Sequence, residues 1–157
     1  MLNSIDQLWR YNSWANQILI DALKHYTGAV PASCLHLLSH LTNAQAIWVS
    51  RITGVIPVVG VWEDYSIAEC EAHHMQSSTA LTQVIANYIE GQPIDISYTN
   101  TRNESFTNSL QDILLHIFNH ATYHRAQIAT EMRNHGLEPV NTDYITFARL
   151  TFVPDAG

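Results

Sequence analysis

The feature that most constrains this chain is a set of four long segments in which apolar residues return every three or four positions. Strands alternate with a period of two, so this spacing specifies amphipathic helices that must bury one stripe each. The first segment carries Ile5, Leu8, Asn12, Ala15, Leu19 and Ala22, opens at Ser4 with Gln7 as a capping box, and ends before Gly28. The second runs from Pro31 to about Ile52, keeps Leu37, Leu41, Ala44 and Trp48 on one face, and is closed by Gly54. The third starts at a capping box of Ser66 and Glu69, continues through Ile67, His74, Leu81, Ile85 and Tyr88, and ends at Gly91. The fourth opens at Ser109 with Asp112 three residues on, passes through Ile113, Ile117, Ala121, His124 and Ile128, and stops at Gly136.

The connections read differently. "GVIPVVGVWEDY" is too rich in Gly and Pro for a helix and reads as a crossing loop, whereas "DISYTNTRNESFTN" alternates and carries turn residues, predicting a short hairpin or extended loop. "NTDYITFARL" predicts a short extra C-terminal helix. At 157 residues the chain is the length of one domain, taken as 1–157, with no internal repeat. The expected fold class is all-α, a four-helix bundle whose helix order the pattern leaves open.

Charge narrows the partners. Fourteen acidic residues face seven Lys plus Arg, a formal charge of -7 with the basic residues scattered. Phosphate backbones are bound by clustered cations, so no nucleic-acid partner is expected. No run of about 18 apolar residues occurs, so no membrane span is expected. Two cysteines without a C-x-x-C pair and no recognisable leader lead to the expectation of a cytoplasmic, reducing setting.

Nine histidines outnumber the basic residues. His120 and His124 are four apart, so on a helix their imidazoles stand one turn above each other and can converge on one ion. The spacing alone equally describes a helix with core or surface histidines. The helical wheel adds that His120 and His124 lie at the inner edge of their stripe, as His40 does on the second helix, while His116 and His36 lie further toward solvent. Three buried neutral imidazoles have six ring nitrogens to satisfy, and one shared metal satisfies three of them. With no fourth protein ligand in sight, the set fits an open site better than a closed structural one. Near helix C-termini, His25 and His135 read as structural or solvated, as do the adjacent His73 and His74. A zincin is excluded because Ala121 stands where its glutamate would be, and a di-iron bundle because Glu71 and His74 form only one E-x-x-H.

Beyond these readings, "RYNSWANQILIDAL", "HLLSHLTNAQAIWVSRITG", "HIFNHATYHRAQIATEMRNHG" and "TDYITFAR" together resemble the DinB family of bacterial four-helix proteins, in order and over nearly the whole chain. The resemblance implies an up-down-down-up bundle, often a homodimer. It also implies a divalent ion, zinc or nickel, held by His40, His120 and His124 with water completing the shell. Characterised family members include transferases and isomerases that use a low-molecular-weight thiol, so a small-molecule substrate and a thiol are the implied partners. The alternative is a non-catalytic metal-binding stress-response bundle or a small-ligand carrier. Trp48 and Tyr123 are candidates for a pocket lining. Arg125 and Gln127 belong to the motif and either orient ligands or pack between helices, packing being preferred. His36 and His116 are candidates for groups beside the site, with surface positions preferred.

Overall fold

The computed structural model describes residues 4–152. Five helices and one hairpin follow in the order α1 (Ser4–Lys24), α2 (Ala32–Thr53), α3 (Ile67–Ala86), β1 (Asp95–Thr99), β2 (Ser105–Ser109), α4 (Leu110–Asn134) and α5 (Tyr144–Thr151). Every element expected from the sequence is present, and their ends have local causes. Gly54 takes φ 75°, a left-handed conformation that costs a residue with Cβ about 1 kcal/mol or more, and its N–H closes α2 on Ser50 O. Ser66 Oγ accepts from Glu69 N at 3.3 Å while Glu69 Oε2 accepts from Ser66 N at 2.9 Å, the reciprocal box that starts α3. Ser109 likewise caps α4 through Asp112 N.

Two boundaries differ from the sequence reading. Ser4 already lies within α1 rather than ahead of it, and Gln7 gives its side-chain N–H to Tyr144 Oη of α5 at 2.6 Å. The third helix ends at Ala86 rather than at Gly91, because Asn87, Tyr88 and Gln92 turn their N–H groups back three residues in successive turns.

The two strands pair antiparallel with Tyr98 opposite Phe106. Their turn is held by Asn100 Oδ1, which accepts from the N–H groups of Arg102 and Glu104. α2 packs against both α3 and α4, and so does α1, while the hairpin lies against α2 and α4. No described helix is long and apolar enough to cross a membrane.

Besides a small cluster of Tyr11, Ala15 and Phe147 between α1 and α5, burial falls into two larger apolar clusters. One holds Ile5 and Trp9 from α1, Val49 from α2, Leu81 and Ile85 from α3, and Leu114 and Phe118 from α4. The other holds Leu19 and Leu23, Leu38 and Leu41, Cys70, and Ile128 and Met132 from the same four helices. Between the two positions on their helices come buried polar residues: Asn12, Asn16, Gln45, His74, Ser77 and Arg125. Buried polar groups persist only when hydrogen-bonded, and these bond to one another. Gln45 Nε2 donates to Ser77 Oγ at 2.8 Å and approaches His74 Nδ1 at 3.4 Å, and Arg125 donates to Asn12 and Asn16 Oδ1 at 3.0 and 2.7 Å. His74 is therefore fully buried and structural, which removes the solvated option left open for it.

Candidate metal centre

α2 and α4 pack face to face, and this brings His40 from the former against His120 and His124 from the latter. Among the described residues these three form a cluster able to hold a metal ion, with one ligand nitrogen from each and all three nitrogens within 4.8 Å of one another. His120 Nε2 and His124 Nε2 stand 3.1 Å apart. Two nitrogens bound to one tetrahedral zinc at about 2.0–2.1 Å would be about 3.3 Å apart, so the pair is at ligand spacing without rearrangement.

Which ring nitrogen is free follows from the partners of the other. His40 Nδ1 lies 3.0 Å from Val61 O, and a carbonyl only accepts, so Nδ1 carries the proton and Nε2 keeps its lone pair. His124 Nδ1 donates in the same way to Gln127 Oε1 at 2.7 Å. Both rings are thus oriented by oxygen acceptors, as metal-bound histidines ordinarily are. The His124 lone pair then meets His120 Nε2, an approach that is repulsive unless a proton or a cation lies between them. The donor set therefore fits a divalent ion.

Electrostatics keep the rings neutral. Burial lowers the pKa of His40 and of His124, in the latter case against the opposing bond from Gln127. His120 falls to about 4, first through burial and then through the neighbouring His124, His40 and His116. Neutral imidazole is the ligating form, so the cluster stays competent over the neutral range.

The loop between α2 and α3 covers one side. Trp62 stacks on His40 with ring centroids 3.6 Å apart and planes 7° apart, and the same ring lies 5.5 Å from His36. The loop is fastened to α2 by Asn43, fully buried, whose Nδ2 donates to Gly60 O at 2.9 Å and Glu63 O at 2.8 Å. His36 Nδ1 meets Asp64 Oδ1 at 2.6 Å. Neither Trp62 nor Val61 was singled out from sequence. A lone tryptophan in a Val-rich loop is the one signal available, and a carbonyl leaves none.

The remaining candidates divide. Gln127 touches His124 and orients it, so the preference for plain packing does not hold at this position. Arg125 does pack between helices, 3% exposed in a shell of Asn12, Asn16, Tyr11 and Thr122 oxygens. Tyr123 sets its ring edge-on to His124 at 5.2 Å but is 61% exposed. His116 is exposed yet within 5.4 Å of the His120 ring, and Trp48 meets His116 at 4.9 Å, so both flank the cluster on the hairpin side. His25 and His135 bond to Asp21 O and Glu131 O at their helix ends, away from the cluster.

The family model for the DinB family matches residues 1–156. The chain belongs to the DinB family. Protein DinB of Bacillus subtilis (strain 168) is 25% identical over 164 residues, an alignment that covers 92% of this chain and 94% of that protein. DinB membership and the three-histidine cluster agree, since the cluster is formed by "HLLSH" of α2 and "NHATYH" of α4, both inside the matched region.

Proposed function

We propose that this DinB-family protein is a metal-dependent enzyme that activates a thiol or water for transfer or isomerisation on a small molecule. His40, His120 and His124 would hold the ion, zinc or nickel. The observation that carries the reading is the tautomer pattern: Val61 O and Gln127 Oε1 take the Nδ1 protons of His40 and His124 and leave both Nε2 atoms as donors in one cluster. A divalent ion bound there supplies Lewis acidity, lowering the pKa of a thiol or water enough to make a nucleophile at neutral pH. The chain's own groups orient the rings, exclude water from one side through Trp62, and present Trp48, His116 and Tyr123 on the open sides. A three-nitrogen set leaves positions for exogenous ligands, which favours an enzyme over a closed staple.

The same reading takes residues 1–157 as one four-helix bundle of up-down-down-up order. Cluster membership supports that order: α1 and α4 run from the Trp9 and Phe118 end toward the Leu23 and Met132 end, whereas α2 and α3 run the opposite way. Free, buried Cys34 and Cys70 support a reducing, cytoplasmic setting. The acidic balance supports small-molecule rather than nucleic-acid partners. Exposed Val55, Ile56 and Val58 support a homodimer.

The test is elemental analysis of protein purified without a histidine tag, beside His124→Ala. About one divalent ion per chain, lost in the variant, is the expected result, followed by thiol-consumption screens on the loaded protein. Equal metal in both would overturn the assignment.

A further inference from the structure

The seven Lys and Arg residues of this chain are few enough to account for individually. Arg10, Lys24 and Arg102 pair with Asp6, Glu71 and Glu104. Arg125 is buried among neutral oxygens that accept from both of its terminal nitrogens, and Arg133 and Arg149 are exposed to water. Arg51 differs from all six. It is only partly exposed, and among the described residues it makes neither an ion pair nor a hydrogen bond. Its guanidinium carbon instead lies 4.3 Å from the Trp48 ring centroid and 4.9 Å from that of Tyr98.

Two aromatic faces can hold a guanidinium in place while leaving all five N–H donors unspent, and a planar fork of donors matches a carboxylate or phosphate in two parallel hydrogen bonds. The position is not remote. Trp48 contacts His116 at 4.9 Å between ring centroids, and His116 contacts His120 at 5.4 Å. Between the hairpin and α4, a cleft of about 380 Å³ is lined by Trp48, Tyr98, Asn108, Asp112, Ile113 and His116. The acid in that cleft, Asp112, accepts from Ser109 Oγ at 2.7 Å as part of the α4 cap. A position in the last turn of α2 favours a cation through the helix dipole, but that leaves the donors unused.

We propose that Arg51 is an anion anchor, and that the substrate of the metal site is a small molecule bearing a carboxylate or phosphate at one end and its reacting group at the other. The proposal rests on the metal-site reading for the reacting end and on the Trp48, Tyr98 and Arg51 arrangement alone for the anionic end. It makes Arg51 a specificity-determining residue outside the ligand set.

Two measurements separate the parts. First, metal-free protein at low salt is titrated with succinate while the Trp48 indole N–H and Arg51 Nε–H signals are followed by NMR. Both should shift saturably in the wild type, whereas the Trp48 signal should shift less in Arg51→Lys, which keeps the charge without the fork, and stay still in Arg51→Met. Static signals in the wild type, or shifts that survive Arg51→Met, would overturn the anchor whatever the metal does. Second, cobalt-loaded protein is titrated with acetate and with dicarboxylates of increasing length, read by the visible cobalt bands. A dicarboxylate of fitting length should bind at least tenfold tighter than acetate, and Arg51→Met should abolish that advantage with cobalt content unchanged. Equal binding of acetate and every dicarboxylate would overturn the two-ended substrate. If cobalt is not held while the NMR shifts remain, the metal reading fails and the anion anchor stands.

Discussion

Trp62 lies flat on His40, with ring centroids 3.6 Å apart and planes 7° from parallel, although the two belong to a loop and a helix. The stack blocks one face of the imidazole while Val61 O fixes its tautomer. Because the loop carrying both is fastened by the buried Asn43, the orientation of His40 depends on residues outside the ligand set.

Trp62→Ala should therefore weaken zinc binding by about tenfold or more, the range seen when groups supporting a ligand are removed. Trp62→Phe should recover most of the loss by restoring a flat apolar surface. Competition against a chromophoric chelator reads both, and an unchanged affinity in Trp62→Ala would show that the stack does no positioning.

Gln127 supports the opposite side. Gln127→Leu removes the acceptor for His124 Nδ1–H and should cost about 10- to 100-fold in metal affinity, while Gln127→Glu, a stronger acceptor, should bind at least as tightly as wild type. His36→Ala and His135→Ala, which keep every ligand, should retain the metal. Equal losses in all four variants by elemental analysis would contradict this division of roles.

His74 predicts how stability depends on pH in the metal-free protein. It is 2% exposed, and burial, followed by the nearby Arg125 charge, lowers its pKa to about 4. The ordinary value in the unfolded chain is 6.5, so the unfolded state binds the proton more readily. This contribution is full above pH 6.5 and is lost as pH falls from 6.5 toward 4, on the order of 3 kcal/mol in all. Urea unfolding at pH 7 and pH 4.5 should show the drop, and His74→Gln, still able to bond with Gln45, should reduce it.

Arg125 is the neighbour in sequence of His124 yet belongs to the polar layer. Arg125→Leu would leave Asn12 and Asn16 without their donor and should destabilise the fold on the order of 3 kcal/mol. Metal content per folded chain should not change. Loss of metal in a variant that is still folded by circular dichroism would instead tie Arg125 to the site.

The helices, most of their ends and the candidate ligands were legible in the order of the residues alone. Helical period, capping residues and glycine are local signals, and α2, α3 and α4 stop or start where Gly54, Ser66 and Ser109 dictate. His120 and His124 were legible for the same reason, since one turn of one helix fixes their spacing, and His40 followed from its place on a stripe. What is joined across the chain was not legible. Gln7 bonds to Tyr144 across the chain, His74 is enclosed by Gln45 and Ser77, and Trp62 returns from a loop to cover His40. Only the packing of elements distant in the chain decides such contacts, because an imidazole, an amide or a guanidinium reads the same in sequence whether its partner is water or a residue many positions away. The local code thus determined which nitrogens could meet, and the tertiary structure decided which of them keep a lone pair.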